Sequence, residues 1–240
     1  MEGDAQLVAA LTGVPVVDEA IRRSEECFWH RIVERQFLLT HIPDGSVGVE
    51  LGVYTGMFSA LLAHDKKIRQ VTFVDPWWLK HGESFPRRWK DYSDWGKIAT
   101  RKAYALATER IRSCGLEGRA IVVGYAERWL AAQPDASLDW AYLDTVHTYR
   151  QTMQELGLLD KKLTAHGIII GDDWDFDGIF FAVNDFVKTH DFQVMFCDVR
   201  NQWMLRRSQY PPYDYKADFA AAAMERPTRL YNAGLTPYPE

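Results

Sequence analysis

Acidic side chains gather at two places in the second half of the sequence, and each follows a stretch with the pattern of a buried β-strand. Asp144 follows the apolar run "LDWAYL", and Asp172 and Asp173 follow "GIIIG". The carboxyl ends of neighbouring strands in an α/β sheet open into the same ligand crevice, so these three carboxylates are predicted to converge. Converging carboxylates repel one another unless a cation lies between them, and oxygen ligands select a hard cation such as Mg²⁺ or Mn²⁺.

Two features of the sequence allow alternatives to this assignment of a metal site. An aspartate at the end of a strand can instead cap the helix that follows, with its neighbours solvated in a loop. In addition, the run "DDWDFDG" contains Asp175 and Asp177, and either of these carboxylates could contribute a ligand. Asp144, Asp172 and Asp173 are the predicted metal ligands.

A second candidate site lies in "VELGVYTG", where a short β-like run is followed by two spaced glycines and the start of a helix. Gly52 and Gly56 stand where a chain turning from strand to helix needs a positive φ or a close approach to a ligand. Asp75 ends the next predicted strand, about 20 residues on, where a carboxylate can accept hydrogen bonds from ribose hydroxyls. Because Glu50 would repel a diphosphate, the ligand is expected to lack a pyrophosphate. An ordinary glycine-containing turn is the alternative.

The elements that must position these residues alternate between strands and helices. Runs such as "AIVV" and "GIII" are apolar on both faces, as parallel strands covered by helices must be. The run "FQVMFCDV", a two-residue turn and "QWMLRR" predict an antiparallel hairpin. The fold class is therefore α/β, a doubly wound, mostly parallel, seven-stranded Rossmann-like sheet with an antiparallel C-terminal hairpin. We predict strands at residues 47–50, 70–74, 120–123, 138–143 and 167–171, and helices at 56–63, 97–114, 126–132, 150–163 and 179–189.

Composition and charge argue against several classes of protein. A chain of 240 residues with 47% apolar residues can bury one good-sized core. The formal net charge of −5 argues against a nucleic-acid-binding surface. Three widely spaced cysteines without a CxxC pair suit free thiols in a reducing compartment. With no long apolar run at the N-terminus, we expect a cytoplasmic protein without a membrane partner.

Five sequence motifs taken together carry a family resemblance. The segments "VGVELGVYTG", "VTFVD", "GYAERWL", "LDWAYLDTVHTY" and "GIIIGDDW" resemble those of the class I S-adenosylmethionine-dependent methyltransferases. Within that class, residues 47–206 are most similar to metal-dependent O-methyltransferases that act on sugar hydroxyls of macrolides and related glycosides. The resemblance implies a set of cofactor-binding residues: Glu50, Gly52 and Gly56 along the methionine and ribose, Asp75 at the ribose, and Tyr125 and Ala126 beside the adenine.

The resemblance also bears on the metal and on the base. Metal-dependent relatives carry an aspartate after strand four and an acidic or Asp–Asn pair after strand five. This resemblance favours a metal site over helix capping as the role of the three aspartates. A sugar hydroxyl is a poor nucleophile until it loses its proton, and a divalent cation lowers its pKa. His147, three residues after Asp144, is the predicted base. Many relatives carry a second aspartate where this chain has Val146, which leaves His147 as the candidate. Helix capping, or packing against Tyr149, is the alternative for His147.

The segment 76–97, "PWWLKHGESFPRRWKDYSDWGK", is long for a connection in such a fold. Its tryptophans could stack on a sugar or polyketide, with Lys80, Arg87 and Arg88 at the edge, or they could form core or an oligomer interface. We predict an N-terminal helical cap at 1–44, a cofactor-binding catalytic domain at 45–208 and a C-terminal arm or lid at 209–240. We also expect a homo-oligomer.

The sequence thus predicts a divalent-metal-dependent O-methyltransferase. It would move a methyl group from S-adenosylmethionine to a hydroxyl of a sugar or a glycosylated natural product, and its acceptor would be a small molecule or glycan. One alternative keeps the cofactor but methylates nitrogen or a small-molecule phenol without a metal. Another is a non-catalytic cofactor-binding domain in which the acidic cluster is only structural.

Overall fold

The computed structural model describes residue 8 and residues 12–115, 117–199 and 201–208. It divides into two compact units, Met1–Trp129 and Leu130–Glu240. The predicted C-terminal arm at 209–240 lies outside the described residues. Within the part of the chain that is described, no helix has both the length and the apolar character needed to cross a bilayer.

The first unit contains three parallel strands and the helices between them. The elements of this unit are α1 (Glu19–Arg35), a 3-10 helix (Gln36–His41), β1 (Ser46–Leu51), α2 (Met57–His64), β2 (Ile68–Asp75), α3 (Trp78–His81), a 3-10 segment (Arg87–Gly96), α4 (Thr100–Ser113) and β3 (Arg119–Val123). The next helix, α5 (Ala126–Ala132), begins in this unit and ends in the second. β1 pairs with β2, and β2 pairs with β3, all in parallel.

The second unit contains a parallel pair of strands extended by a hairpin. The elements of this unit are β4 (Leu138–Leu143), α6 (Tyr149–Lys162), β5 (Leu163–Gly171), α7 (Asp177–Thr189), β6 (Phe192–Val199) and β7 (Gln202–Arg207). β4 and β5 are parallel, β7 runs antiparallel to β5, and β6 runs antiparallel to β7. The antiparallel hairpin predicted from the short turn is therefore confirmed.

The seven strands form one sheet in the order β3-β2-β1-β4-β5-β7-β6. The predicted fold class, a mostly parallel doubly wound sheet with an antiparallel hairpin, is confirmed. The predicted strands differ from the observed ones by a few residues at most, because long apolar runs identify buried parallel strands. Asp75 is the last residue of β2, Asp144 directly follows β4, and Asp172 directly follows β5. Each predicted acidic residue therefore stands at the carboxyl end of its strand.

The end of β5 is shaped by a glycine that admits a tryptophan. A Cβ on Gly171 would lie 2.1 Å from the ring of Trp203, which is 1% exposed and belongs to β7. The Nε1–H of Trp203 donates a hydrogen bond to the backbone oxygen of Asp172 at 3.0 Å. Gly171 thus lets β7 cover the strand end and fix the backbone from which the acidic pair projects.

We predict that Gly171→Ala lowers the free energy of unfolding by about 1–3 kcal/mol, because the added methyl group overpacks the space that Trp203 fills. Gly157→Ala is the matched control, since a Cβ on Gly157 in α6 would meet nothing within 4 Å. There alanine should stabilise the helix by roughly 0.5–1 kcal/mol. Urea denaturation of both variants measures the difference, and changes of the same sign would contradict this account.

Candidate cofactor and metal sites

The loop between β1 and α2 is held by the carboxylate of Asp75. Oδ2 of Asp75 accepts hydrogen bonds from the backbone N–H groups of Val53 and Tyr54 at 2.9 Å each, and Oδ1 accepts one from Trp77 at 2.7 Å. Burial raises the pKa of Asp75, while these three donors and the charge of Lys80 oppose the rise. A carboxylate offers about four acceptor positions, so one remains for a ligand hydroxyl. The residue predicted to hold the ribose is also the anchor of the loop.

The two glycines of this loop adopt left-handed backbone conformations. Gly52 has φ 96° and donates its N–H to the oxygen of Val74 at 2.9 Å. Gly56 has φ 79° and precedes the first residue of α2. A Cβ on Gly56 would lie 2.7 Å from the Cα of Ala107 in α4. Helix packing therefore requires Gly56, in addition to any role it has toward a ligand.

Glu50 lies in β1 and is 2% exposed. Its Oε2 accepts a hydrogen bond from the hydroxyl of Ser59 in α2. The carboxylate is thus directed toward the helix that follows the loop. Its contact with the methionine part of the cofactor stays a prediction.

A buried ion pair supports the loop from the side of α1 and α4. Nη1 and Nη2 of Arg110 donate to Oε1 and Oε2 of Glu25 at 2.6 and 2.9 Å, and Nη1 also donates to the carbonyl of Thr55 at 3.0 Å. This pair was not predicted from the sequence, because Glu25 lies in the charged run "RRSEE". The available signal was the spacing of Arg110 from Ala107, which places the arginine on the apolar face of α4.

The residues predicted beside the adenine follow β3. The N–H of Gly124 donates to the backbone oxygen of Asp75 at 3.0 Å, so the ends of β2 and β3 lie together. Next along the chain, the hydroxyl of Tyr125 donates to the backbone oxygen of Leu79 at 2.8 Å, and Ala126 begins α5 with 7% exposure. Tyr125 and Ala126 are thus at the same end of the strands as Asp75. Their role toward adenine stays a prediction.

Four side chains form what we call the aromatic cluster: Tyr54, His81, Phe85 and Trp89. The ring of Tyr54, in the glycine loop, lies 4.8 Å from Phe85, which stacks on Trp89 at 5.3 Å; His81 lies 4.9 Å from Trp89. Trp77, by contrast, is fully buried. The tryptophan-rich segment therefore divides between core packing and a cluster beside the glycine loop.

In the second unit, the structure brings Asp144, His147 and Asp173 together. One ligand atom from each lies within 4.8 Å of the others. Nε2 of His147 lies 2.7 Å from Oδ2 of Asp173. A divalent cation is suited to this set, since Mg²⁺ is commonly held by one or two carboxylates with water or substrate oxygens completing its shell.

Asp172, predicted as a metal ligand, is not part of this cluster. Its side chain accepts a hydrogen bond from Nε2 of Gln202 in β7, and the residue is 2% exposed. Successive side chains at a strand end point in opposite directions, and Asp173 also has a left-handed backbone with φ 60°. The two neighbouring carboxylates are therefore separated: Asp173 lies beside His147, whereas Asp172 is bound by Gln202.

Asn201, in the turn between β6 and β7, supports the acidic side chains. Its Nδ2 donates to Oδ1 of Asp175 at 2.8 Å and lies 3.4 Å from Oδ1 of Asp173. Its backbone oxygen accepts the N–H of Trp174 at 3.1 Å. Asp175, an alternative ligand in the sequence analysis, is thus engaged by the turn. Asn201 was missed because its partners lie far from it along the chain, although its φ of 65° is one that asparagine tolerates.

A glycine also shapes the position of His147. A Cβ on Gly178, in the first turn of α7, would lie 2.3 Å from the backbone oxygen of His147. The imidazole lies 4.3 Å from the ring of Phe176, and about a third of the side chain is exposed. The close approach of α7 thus places the histidine at a surface that solvent and ligands can reach.

A family model described as a methyltransferase domain matches residues 48–174, more than half of the chain. The chain belongs to this methyltransferase family. It is a class I S-adenosylmethionine-dependent methyltransferase, as the motif resemblance implied. No curated protein matches the sequence significantly.

Solved structures at 10–15% sequence identity share the fold. An rRNA methylase from Streptococcus thermophilus has a TM-score of 0.50 at 15% identity, over 80% of this chain and 99% of that one. A Corynebacterium glutamicum protein has a TM-score of 0.56 at 10% identity, over 88% of this chain and 99% of that one. A Klebsiella pneumoniae protein, provisionally assigned as an O-methyltransferase, has a TM-score of 0.52 at 14% identity, over 85% of this chain and 95% of that one. These likenesses concern the fold.

We predict that Asp75→Asn weakens binding of S-adenosylmethionine by about ten- to a hundredfold, because a hydrogen bond to a charged group contributes about 1.5–3 kcal/mol. The asparagine also turns an N–H₂ group toward backbone donors. Calorimetric titration measures the dissociation constant, with the exposed Asp44→Asn as control. Wild-type affinity in Asp75→Asn would refute the assignment.

We predict that His81 makes the stability of this methyltransferase pH-dependent. Burial, together with the charges of Lys80 and Arg88, lowers the pKa of His81 from 6.5 to about 4. Between these values the unfolded chain binds a proton that the folded chain does not, so the free energy of unfolding falls as the pH falls from 6.5 to about 4. Urea denaturation at several pH values should show a flatter dependence in His81→Gln. The exposed His64→Gln should keep the wild-type slope; equal slopes in all three proteins would contradict the prediction.

Proposed function

We propose that this methyltransferase methylates a hydroxyl oxygen and that the reaction depends on a divalent cation, Mg²⁺ or Mn²⁺, held by Asp144 and Asp173. The observation that supports the proposal is the convergence of these two carboxylates with His147. Two carboxylates with water and substrate oxygens suit a small hard cation. When bound, such a cation lowers the pKa of a hydroxyl beside it.

His147 is the proposed base. Its Nε2 lies 2.7 Å from Oδ2 of Asp173, so the carboxylate orients the imidazole and stabilises the imidazolium once it forms. With the Nε2 proton directed to Asp173, Nδ1 is the nitrogen that takes the proton of the acceptor hydroxyl. S-adenosylmethionine, held at the loop that Asp75 anchors, would supply a methyl group on a sulfonium; with the methyl carbon joined to the acceptor oxygen, its product would be a neutral thioether.

We further propose that the acceptor hydroxyl belongs to a sugar or a glycosylated natural product. The aromatic cluster supports this choice, because aromatic rings pack on the apolar faces of sugar rings while the hydroxyls stay polar. Tyr54 joins the cluster to the loop that Asp75 anchors. Transfer to nitrogen without a metal remains the alternative function.

The cation assignment is tested without activity by thermal unfolding in the presence of Mg²⁺ or Mn²⁺. Binding to the native state should raise the melting temperature of the wild type. The rise should disappear in Asp144→Asn and Asp173→Asn and persist in the exposed control Asp191→Asn. It should also persist in Asp172→Asn, whose amide oxygen can still accept from Gln202. A rise that is lost in Asp172→Asn as well as in Asp144→Asn and Asp173→Asn would restore the set predicted from sequence. A rise that persists in Asp144→Asn and Asp173→Asn would refute the site proposed here.

The reaction class is tested by transfer of labelled methyl groups to a panel of glycosides and amines. Transfer to hydroxyl acceptors should stop when EDTA is added and return with Mg²⁺ or Mn²⁺. His147→Gln should lower kcat by about 10²–10⁴-fold with little change in cofactor affinity. Transfer to amines that is indifferent to EDTA would instead support the alternative function.

A further inference from the structure

The segment from Pro76 to Lys102 is basic in an acidic protein. It contains seven basic and three acidic residues, whereas the whole chain has a formal net charge of −5. A concentration of cations in one segment of an otherwise acidic chain creates a local positive potential that favours an anionic ligand. The question is which of these cations are already paired.

Several cations of the segment have partners within the first unit. Lys97 lies 3.5 Å from Asp94, and Lys102 lies 2.7 Å from Asp18. The guanidinium of Arg101 lies 4.4 Å from the centre of an indole ring. These three side chains are therefore engaged with other parts of the protein.

Arg87, Arg88 and Lys90 differ from the others. All three residues are exposed, and none forms an ion pair with a carboxylate in the described part of the chain. They flank Trp89 along the chain, and the ring of Trp89 belongs to the aromatic cluster. Exposed cations next to an aromatic residue suit a ligand that has both a ring and a negative charge.

This cationic surface adjoins the cofactor loop. Phe85 contacts both Tyr54 of the loop, at 4.8 Å, and Trp89, at 5.3 Å. The charge of Lys80 acts on both Asp75 and His81, and that of Arg88 acts on His81, by lowering their pKa values. The charge of Arg88 therefore reaches the aromatic cluster at His81, and that of Lys80 reaches both His81 and the anchor of the loop.

We propose that the methyl acceptor carries an oxyanion, a phosphate or a carboxylate, which Arg87 and Arg88 bind while its sugar ring packs on Trp89. A guanidinium presents donors in a planar fork that matches either oxyanion and lets one side chain donate two parallel hydrogen bonds. This proposal rests on the proposed function in taking the ligand to be the methyl acceptor. It adds the charge of that acceptor, which the metal cluster does not specify.

Binding of two matched pairs of probes tests the proposal without turnover. The first pair is 4-nitrophenyl β-D-glucuronide and 4-nitrophenyl β-D-glucoside, which differ by a carboxylate; the second is glucose 1-phosphate and glucose. Tryptophan fluorescence is followed in the full-length protein with S-adenosylhomocysteine present. The anionic member of at least one pair should bind about tenfold more tightly than its neutral partner. A preference within the first pair would identify the oxyanion as a carboxylate, and a preference within the second pair would identify it as a phosphate.

The double variant Arg87→Gln/Arg88→Gln should lose this preference and bind both members of the pair equally. The matched control Lys66→Gln/Arg150→Gln removes two exposed charges elsewhere and should keep it. Equal affinity of the wild type within both pairs, or an unchanged preference in the arginine variant, would overturn the proposal. The proposal would also be overturned if a short single-stranded RNA were the only probe whose binding depends on Arg87 and Arg88. Because no methyl transfer is measured, these outcomes are separate from a failure of the metal-dependent reaction.

Discussion

The first unit depends on one buried carboxylate. A charge removed from water is costly unless hydrogen bonds replace the water, and a chain that turns from a strand into a helix leaves backbone N–H groups without partners. Asp75 meets both needs, since its oxygens accept from the N–H groups of Val53, Tyr54 and Trp77. The loop and the charge stabilise each other. The glycine loop therefore has a defined shape, as a binding loop must.

The other parts of the first unit attach to this loop through Tyr54 and Thr55. The hydroxyl of Tyr54 donates to the backbone oxygen of Tyr92 in the tryptophan-rich segment, and Ser24 of α1 donates to the same oxygen at 2.8 Å. The carbonyl of Thr55 accepts from Arg110, which pairs with Glu25 of α1. The N-terminal helix precedes the matched methyltransferase region, yet it is built into the support of the loop.

In the second unit, the C-terminal hairpin decides how the acidic residues are used. Gln202 and Trp203 of β7 bind the side chain and backbone oxygen of Asp172, and Asn201 in the turn binds Asp175. Asp173 is left on the side of His147. A hairpin that extends the sheet therefore also selects which carboxylate joins the candidate metal cluster. Its sequence, "RNQWM", gives no local indication of this role.

The sequence by itself determined the order and type of the strands and helices, because apolar runs, helical periodicity and glycine turns are local patterns. It also determined that Asp75, Asp144, Asp172 and Asp173 stand at strand ends, since each directly follows or ends such a run. Only the tertiary structure decided which of two adjacent aspartates faces His147, because that depends on Gln202, 30 residues away along the chain. It likewise decided that Glu25 pairs with Arg110 and that Trp77 is core while Trp89 is not. Contacts between distant segments depend on how the elements pack, and no local pattern encodes them.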